Sequence, residues 1–589
     1  GGAWIAGPIA GAGGLGGGGG AGIGGANGGI GGFGAGGGGA GGGGVGGAAG
    51  AFGGNGTAAG SGGGGAALGG AVYMDNSGGI PGRLNITGAF MITGVSATGG
   101  TGAAGAGNGA GAGSGIFIGA AFGNNYVIFD PPAGETITID GDIADEANSG
   151  GNVNNYSALY LISPGTLVLS GNNAYGAAGI FSTFISGGGT LSVASSSNLG
   201  NANSDVRLDV GSTLNLTGTS AFTQNLYLEG AFGTVSVNPG QTATWNGEVE
   251  EGVITPSPLD VTGGGTLVLT NAANSHTDGN LVKNGSTLVV TSNGALGGLT
   301  SDVFLGDASS SGTLGIDAPA FATARALTLD AGGGTVDTIG ATTNATWNAT
   351  VSGTGPFTKA GAGSLVLAGN NTYSGPTIVT GGSLFAGSAT AFGASQSLIV
   401  NGGGLVGFNG FSQSFNTIDG NGTLQFGSGE SLTVNSGTFG GSIIGNGSLT
   451  KIGGGSLTLA GANTYTGSTT VNGGTLIAGS NNAFGSSQSM AIAAGATVDL
   501  NGFSQTFSSI GGTGTVALNG GATLTIGAGG TTSSLGVSLT GSGNLTKEGS
   551  GTVTLDGSNS YTGATSVLDG TLRAGNATAF GGSHTLYVC

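Results

Sequence analysis

The chain has very little charge. Of its 589 residues only 8 are Lys or Arg and 26 are Asp or Glu, a formal net charge of −18. Charged residues make up 6% of the sequence, against about 25% in an ordinary soluble domain. Binding to nucleic acid or to an anionic membrane surface needs clustered basic residues, so this composition disfavours both functions. The surface must instead be covered by Ser, Thr, Asn and Gly.

Cysteine and histidine are almost absent as well. Cys589 is the single cysteine, so an internal disulfide and a thiolate zinc cluster are both excluded. This scarcity suits an exported chain, and it suits a cytosolic protein too. His276 and His584 are the two histidines, and neither has a second histidine at metal-ligand spacing. We predict no catalytic residues, no metal site and no cofactor.

Signals for targeting and membrane insertion are also missing from the sequence given. The chain begins Gly1-Gly2-Ala3-Trp4, with no Met and no basic stretch before an apolar run. No uninterrupted apolar run reaches the ~18 residues of a membrane span. We interpret the chain as an internal fragment of a longer protein.

Glycine is in excess, with 144 residues. Residues 1–70 form a low-complexity segment of Gly and Ala, for which two interpretations remain open. The segment is either flexible, because it has few side chains to bury, or a set of packed polyproline-II-like strands, which glycine permits. Residues 71–160 then show short runs in which apolar and polar residues alternate, broken by a second glycine-rich stretch. We predict that they form the irregular start of a β-helix, for which the repeat described next gives the evidence.

Residues 161–589 contain an internal repeat. The copies lie at 164–200, 263–297, 358–393, 450–485 and 546–581. A ring at one corresponding position marks the register: Tyr175, His276, Tyr373, Tyr465 and Tyr561. Neighbouring marks are 101, 97, 92 and 96 residues apart. The sequence thus predicts about five degenerate repeats, the last of them truncated.

Each copy is built from short strands such as SLTLAG and TTVNGG, in which Leu, Ile or Val alternates with Ser or Thr before a Gly or Asn. Strands this short cannot each close a core, but stacked coils can share one. Coils of about 20–25 residues would give roughly 20 coils. We therefore predict an all-β fold, a right-handed parallel β-helix (a solenoid) with a glycine-rich N-terminal segment.

The alternation also predicts which side chains face inward. We expect burial of Leu365, Leu367, Leu457, Leu459, Val553 and Leu555, with Leu476 and Ile477 on opposite faces. Phe411 and Phe415 are predicted to pack with their counterparts Phe503 and Phe507. Asn370, Asn371, Asn463 and Asn559 are predicted to lie at turns and to hydrogen-bond along the stack.

One pattern is shared by 358–387, 450–479 and 546–575: T-K-x-G-x-G-x-L-x-L-x-G-x-N-x-Y-x-G followed by G-G-x-L-x-A-G. It resembles the passenger-associated β-strand repeat of autotransporters. The stretch 62–79 is similar to the glycine-rich lead-in found before such β-helices. The resemblance implies a surface-displayed β-helical passenger and implies no chemistry. Because Cys589 falls within a repeat, we expect the protein to continue beyond it.

Carboxylates are the remaining candidates for chemistry. The densest groups are Asp130, Glu135, Asp140, Asp142, Asp145 and Glu146, and then Glu248, Glu250 and Glu251. Paired carboxylates could hydrolyse a glycoside or bind Ca²⁺, but a solvated face with turn-forming Asp is the interpretation we prefer. The nearest bases in sequence are Arg83 and Arg207. The lysines Lys283, Lys359, Lys451 and Lys547 recur with the repeat, and we predict solvated side chains for them.

We predict a non-enzymatic structural or adhesive stalk, displayed on or secreted from a Gram-negative-type bacterium. Its partners would be host surface, glycan or matrix components, or sister chains, with no nucleic acid and no membrane span in this segment. A self-assembling extracellular fibre or biofilm-matrix protein is one alternative. A polysaccharide-active enzyme on a β-helix is another, and ice binding by rows of Thr ranks lower because the coils are irregular in length.

Overall fold

The computed structural model describes residues 67–68, 72–74, 83–93, 111–112, 114–118, 125–145, 148, 157–230, 233–252, 257–486, 489–530, 532–582 and 585–588. The glycine-rich segment 1–70, apart from 67–68, lies outside these residues, as do Glu146, His584 and Cys589. The chain divides into an N-terminal unit (1–281 and 285–301) and a C-terminal unit (282–284 and 302–589). The three sequence segments proposed above stay a prediction.

The strands are short throughout. Up to residue 301 they are Ala67–Leu68, Val72–Met74, Arg83–Thr87, Phe90–Ile92, Gly111–Ala112, Ile116–Ile118, Asn125–Asp130, Thr136–Ile139, Ile143–Asp145, Ser157–Leu161, Thr166–Leu169, Phe181–Ile185, Thr190–Val193, Asp205–Asp209, Thr213–Leu216, Ala221–Phe222, Asn225–Glu229, Gly233–Val237, Thr242–Trp245, Val249–Glu251, Leu259–Thr262, Thr266–Leu269, Asn280–Val282 and Thr287–Val290.

Beyond residue 301 the strands are Val303–Leu305, Gly312–Ile316, Ala320–Thr323, Leu327–Leu329, Gly334–Thr338, Asn344–Trp347, Val351–Gly353, Phe357–Ala360, Ser364–Leu367, Thr377–Val379, Gly382–Ala386, Ser397–Val400, Gly404–Gly407, Gln413–Gly420, Thr423–Phe426, Ser431–Phe439, Ser442–Gly445, Ser448–Lys451, Ser456–Leu459, Thr469–Val471, Thr475–Ala478, Ser489–Ile492, Thr497–Asp499, Gln505–Phe507, Ser509–Gly512, Thr515–Ala517, Thr523–Ile526, Ser533–Leu535, Ser538–Thr540, Asn544–Lys547, Thr552–Leu555, Thr565–Val567, Thr571–Ala574 and Leu586–Val588.

Helices are confined to single turns in the described part of the chain. The 3₁₀ turns are Ser196–Leu199, Gly294–Leu296 and Asn519–Gly521. The described residues contain no α-helix, and their strands form a parallel β-solenoid of about 20 turns. The predicted all-β solenoid is therefore confirmed.

In the N-terminal unit, equivalent residues of successive coils pair directly. One column runs Leu167, Leu191, Leu214, Val235 and Val261, each paired with the next across parallel strands. Every member is fully buried. Stacking of this kind gives four-residue strands a continuous aliphatic core, which they could not form singly.

The C-terminal unit repeats the arrangement with different residues. Its column runs Leu457, Leu476, Val498, Val516 and Leu539, again through parallel pairing. Column members are 19, 22, 18 and 23 positions apart. The strands stay in register because the length differences fall in the loops between them.

The predicted inward residues are confirmed, since Leu365, Leu367, Leu457, Leu459, Val553 and Leu555 are all at most 2% exposed. Leu476 is buried and Ile477 half-buried on the other face of the strand.

The predicted pairing between phenylalanines is wrong. Phe415 packs on Phe392 with ring centroids 5.8 Å apart, and Phe507 packs on Phe484 at 6.3 Å. Phe411 and Phe503 are only half-buried. The contact is with the preceding coil, because Phe415 and Phe507 are 92 residues apart, a distance that spans several coils.

Candidate functional surfaces

The register tyrosines are buried structural residues. Tyr373, Tyr465 and Tyr561 are fully buried, and each hydroxyl bonds the hydroxyl of the Thr four residues later at 2.6–2.7 Å. Tyr175 makes the same kind of bond to Thr183 at 2.8 Å. Burial raises the pKa of the Tyr373 hydroxyl above its usual value. These phenols are therefore neutral and form part of the core.

A glycine one coil later completes each tyrosine site. Gly393 has φ +60°, and a Cβ built on it would lie 2.6 Å from the carbonyl oxygen of Tyr373. Gly485 and Gly581 have positive φ and stand in the same relation to Tyr465 and Tyr561. Because an L side chain there would be both strained and in collision, the A-F-G end of these three copies requires glycine.

His276 occupies the tyrosine position of its copy and is also buried. Its Nε2 lies 3.1 Å from Asn280 Oδ1, and Nδ1 lies 3.5 Å from the Val249 carbonyl oxygen. Asn280 stands four residues on, where the copies of Tyr373, Tyr465 and Tyr561 place Thr. The imidazole thus replaces the phenol in a packing role.

Five buried asparagines connect three successive coils each: Asn173, Asn274, Asn371, Asn463 and Asn559. In every case Oδ1 accepts a bond of 2.7–2.9 Å from a backbone N–H of the preceding coil. Nδ2 donates to a backbone carbonyl of the following coil. The prediction that Asn side chains bond along the stack is confirmed for Asn371, Asn463 and Asn559.

The lysine prediction is wrong for three of the four residues. Lys359, Lys451 and Lys547 are fully buried, whereas Lys283 is half-buried. The Lys451 ammonium donates to the carbonyl oxygens of Ile452 at 2.6 Å, Gly473 at 3.0 Å and Gly453 at 3.3 Å. Three carbonyl acceptors satisfy the three donors of an ammonium. These bonds replace the hydrogen bonds to water that the ammonium loses on burial.

Burial has the expected effect on these lysines. It lowers the pKa of Lys359 to about 8, although the nearby Asp337 carboxylate acts in the opposite direction. Burial also lowers the pKa of Lys451 and of Lys547. Each lysine side chain points into the solenoid, and its ammonium bonds backbone carbonyl oxygens there. Its role is therefore structural.

The first carboxylate group does not form one shared site. Asp145 is fully buried, and its oxygens accept bonds from the N–H groups of Asn148, Ser157 and Gly176 at 2.9–3.0 Å. Asp142 Oδ1 accepts from the Asn172 N–H at 2.7 Å. Burial raises the pKa of Asp145. Both carboxylates therefore hold backbone, as turn-forming Asp does, and Glu146 lies outside the described residues.

A different surface runs along the outer face of one sheet in the N-terminal unit. We call it the aromatic–acidic strip. Its aromatic and basic members are Tyr126, Tyr160, Phe181, Phe184, Arg207 and Tyr227. Its carboxylates are the half-buried Asp209, Glu248 and Glu250 and, beneath them, the buried Asp205 and Glu229. The members lie on or beside strands whose alternate residues, such as Val206 and Leu208, are in the core.

Parallel register aligns the strip from coil to coil. Tyr160 pairs with Phe184, Phe184 with Arg207, Arg207 with Tyr227, and Tyr227 with Glu250. The rings of Tyr160 and Phe184 are stacked with centroids 4.2 Å apart. These five side chains are half-buried at the protein surface, so the row ends in rings at one end and in carboxylates at the other.

The single cation of the strip sits between these two ends. Arg207 Nε donates to Asp209 Oδ1 at 2.7 Å, and Nη1 lies 3.8 Å from Glu229 Oε1. Burial and the neighbouring Glu250 carboxylate raise the pKa of Glu248. Burial raises the pKa of Asp205 as well, and Glu250 adds to the effect. The acidic end thus concentrates negative charge.

The C-terminal unit has a cleft of about 440 Å³ with a different character. Its lining consists of Ala462, Asn463, Thr464, Asn481, Asn482, Gly485, Ser486, Thr506, Ser508 and Ala528. These residues offer amides and hydroxyls but no ionisable side chain.

Among the described residues, no group of three or more His, Cys, Asp or Glu side chains is placed to hold a metal ion. No helix in the described part is long and apolar enough to cross a membrane.

Sequence reasoning missed the buried lysines and the strip, although each had a signal. Lys359 stands two residues after Phe357, which is the inward parity of a strand. Tyr160 and Tyr227 stand at outward parity between Leu residues, but joining them into one surface requires knowing which coils are neighbours.

Comparison with known proteins supports the repeat assignment. The model of the passenger-associated transport repeat matches residues 163–193, 259–290, 357–384, 449–478 and 545–574. These matches fall on all five predicted copies, including the two divergent ones. No solved structure matches the chain significantly.

A curated relative is the adhesin BmaC autotransporter of Brucella suis biovar 1 (strain 1330). It is 36% identical over 165 residues, which cover 26% of this chain and 5% of the relative. The chain therefore matches only a small part of that protein's length. The chain thus carries five passenger-associated transport repeats in a parallel β-solenoid, and part of it is similar to an autotransporter adhesin.

Proposed function

We propose that the chain is a non-enzymatic part of a surface-displayed or secreted stalk with a structural or adhesive role, made by a Gram-negative-type bacterium. The observation that carries the proposal is the use made of the repeat's polar residues. In each copy the ring is buried and the asparagine bonds to the coils before and after it. Lys359, Lys451 and Lys547 also donate to a carbonyl oxygen of the next coil. Selection on such residues preserves a stack of coils and leaves its outer faces free to vary.

The adhesive part of the proposal follows from the relative, which is named an adhesin. It also follows from a surface of Ser, Thr and Asn, which can form many weak hydrogen bonds with host surface, glycan or matrix components. Nucleic acid remains an unsuitable partner, since the charge is −18 with only 8 basic residues.

Display is tested with an epitope inserted after Gly240, an exposed turn position with no atom near its Cβ direction. We expect antibody to label intact cells of the source bacterium. Labelling only after permeabilisation would contradict display. Adhesion to matrix-coated surfaces should be lost when the gene is deleted and should survive Asp140→Asn with Asp142→Asn. Loss of adhesion in that double variant would favour the polysaccharide-active alternative.

Self-assembly is a second candidate, and one observation favours it. Thr136, Thr166, Thr190, Thr213 and Thr234 pair in register along the outer face of a second sheet in the N-terminal unit. An uncharged row of this kind lacks the like-charge repulsion that keeps sheets apart. Sedimentation velocity across a concentration series would show growth into larger species, and Thr190→Asp should suppress it. A single species at every concentration would argue against assembly.

A further inference from the structure

We propose that the aromatic–acidic strip binds a cationic, arginine-containing polypeptide segment of a partner protein. The proposal rests on the proposed function, because it names a partner class for a displayed adhesive stalk. It concerns only residues of the N-terminal unit.

Charge complementarity identifies the class of partner. The strip combines five carboxylates with one basic residue, Arg207. Asp205 and Glu229 are buried, and Asp209, Glu248 and Glu250 are partly exposed. Burial and the proximity of Glu250 raise the pKa of both Asp205 and Glu248. The part of this increase that comes from Glu250 is like-charge repulsion, to which a further negative charge would add. An anionic glycan or a nucleic acid would meet repulsion, whereas a cation would relieve it.

The aromatic rings distinguish arginine from other cations. A guanidinium is planar, stacks on aromatic faces and forms paired bonds to carboxylates, whereas an ammonium is a compact charge. The strip offers both features side by side. Phe181 meets the ring of Tyr227 at a centroid distance of 4.7 Å, and Tyr227 pairs with Glu250 in the next coil.

Arg207 shows how the strip accepts a guanidinium. It lies in register between Phe184 and Tyr227, and its nitrogens reach Asp209 and Glu229 at 2.7 and 3.8 Å. The carboxylates of Glu248 and Glu250 follow in the next coil and remain half-exposed. A partner's arginine would extend the row by one coil, with its guanidinium against Tyr227 and these two carboxylates.

The experiment measures binding of two fluorescent nonapeptides, one of arginine and one of lysine, to the full chain at physiological ionic strength. The test variant is Glu248→Gln with Glu250→Gln. The matched control is Asp317→Asn with Asp330→Asn, which removes the same charge from exposed positions of the C-terminal unit. We expect the test variant to bind the arginine peptide roughly tenfold more weakly, the scale of one charge-assisted hydrogen bond. The control should change binding less than about twofold.

A second variant, Tyr227→Leu, tests stacking. It should weaken the arginine peptide several-fold and the lysine peptide little, with unchanged circular dichroism showing that the coil is intact. Equal losses in the Glu and Asp double variants would overturn the proposal, because binding would then be diffuse attraction to an acidic protein. Equal weakening of both peptides by Tyr227→Leu would overturn the arginine preference. Neither failure bears on display, which the epitope experiment tests separately.

Discussion

The two units fill the same buried position of the repeat with different residues. One position of the repeat lies six residues before the first Leu of the L-V-L or L-T-L strand. In the N-terminal unit this position holds Leu161 and Val261. At the same spacing the C-terminal unit has Lys359 and Lys451. All four residues are fully buried. A coil can therefore close around an aliphatic side chain, or around an ammonium if three carbonyl oxygens receive it.

The outer faces of the two units also differ. The N-terminal unit, with its more divergent copies, has the aromatic–acidic strip. The C-terminal unit, with more similar copies, has Ser and Thr at corresponding outward positions, as in the row Thr433, Thr450 and Thr470. The comparison indicates that the buried bonds define the repeat, while the outer residues are free to acquire a binding role.

The largest effect is expected from charging the shared core. Leu459→Asp should destabilise its coil by roughly 4 kcal/mol, because a buried carboxylate there has no partner. Its counterpart Leu169→Asp should cost about the same in the N-terminal unit. Thermal unfolding followed by circular dichroism measures both. The outward neighbour Thr458→Asp serves as control and should cost less than about 1 kcal/mol. An unchanged transition for Leu459→Asp would refute the assignment of the core.

The asparagine bridges should matter equally in the two units. Asn463→Ala removes an acceptor from Ile443 N–H and a donor from the Ala483 carbonyl. Asn274→Ala does the same to Val249 and Ala295. Each change should cost about 2–4 kcal/mol, because two buried backbone groups lose their partner. A cost confined to one unit would break the claim that the bridge is common to all repeats, and urea titration would reveal it.

Much of this could be predicted from the sequence because alternation and period are local signals. The inward residues such as Leu459, the five copies and the stacking role of Asn463 all follow from them. The partner of Phe415 could not be predicted, since loop lengths decide which coil lies next to it. The burial of Lys451 was missed because solvation is the usual state of lysine, and its three carbonyl acceptors come together only when the coil closes.

The buried lysines should make the C-terminal unit respond to alkaline pH. The folded-state pKa of Lys359 is about 8, below the ~10.4 of a solvated lysine. The unfolded chain therefore binds more protons between these values, and stability should rise as pH increases from about 8 to about 10. Lys359→Met should reduce that rise, as measured by melting temperature against pH. An identical pH profile for the variant would contradict the assigned pKa.

The smallest effect is expected from the tyrosine hydroxyls. Tyr465→Phe removes a 2.7 Å bond to Thr469, and Tyr175→Phe removes a 2.8 Å bond to Thr183. Each should cost about 1 kcal/mol. Thr469→Val, introduced together with Tyr465→Phe, should recover part of the loss because no buried hydroxyl is then left unpaired. Failure of the pair to recover any stability would show that the bond contributes little.

Native-state hydrogen exchange on the full chain tests the central claim most directly, namely that the repeat's buried polar residues hold neighbouring coils together. We predict that Asn371→Ala raises exchange at the Val351 amide and in the coil around Ala391, the two groups it bridges, while the coils around Tyr465 and Tyr561 stay protected. Unchanged protection at Val351 would contradict the account, since the asparagine would then be conserved within the repeat for a reason other than connecting its coils.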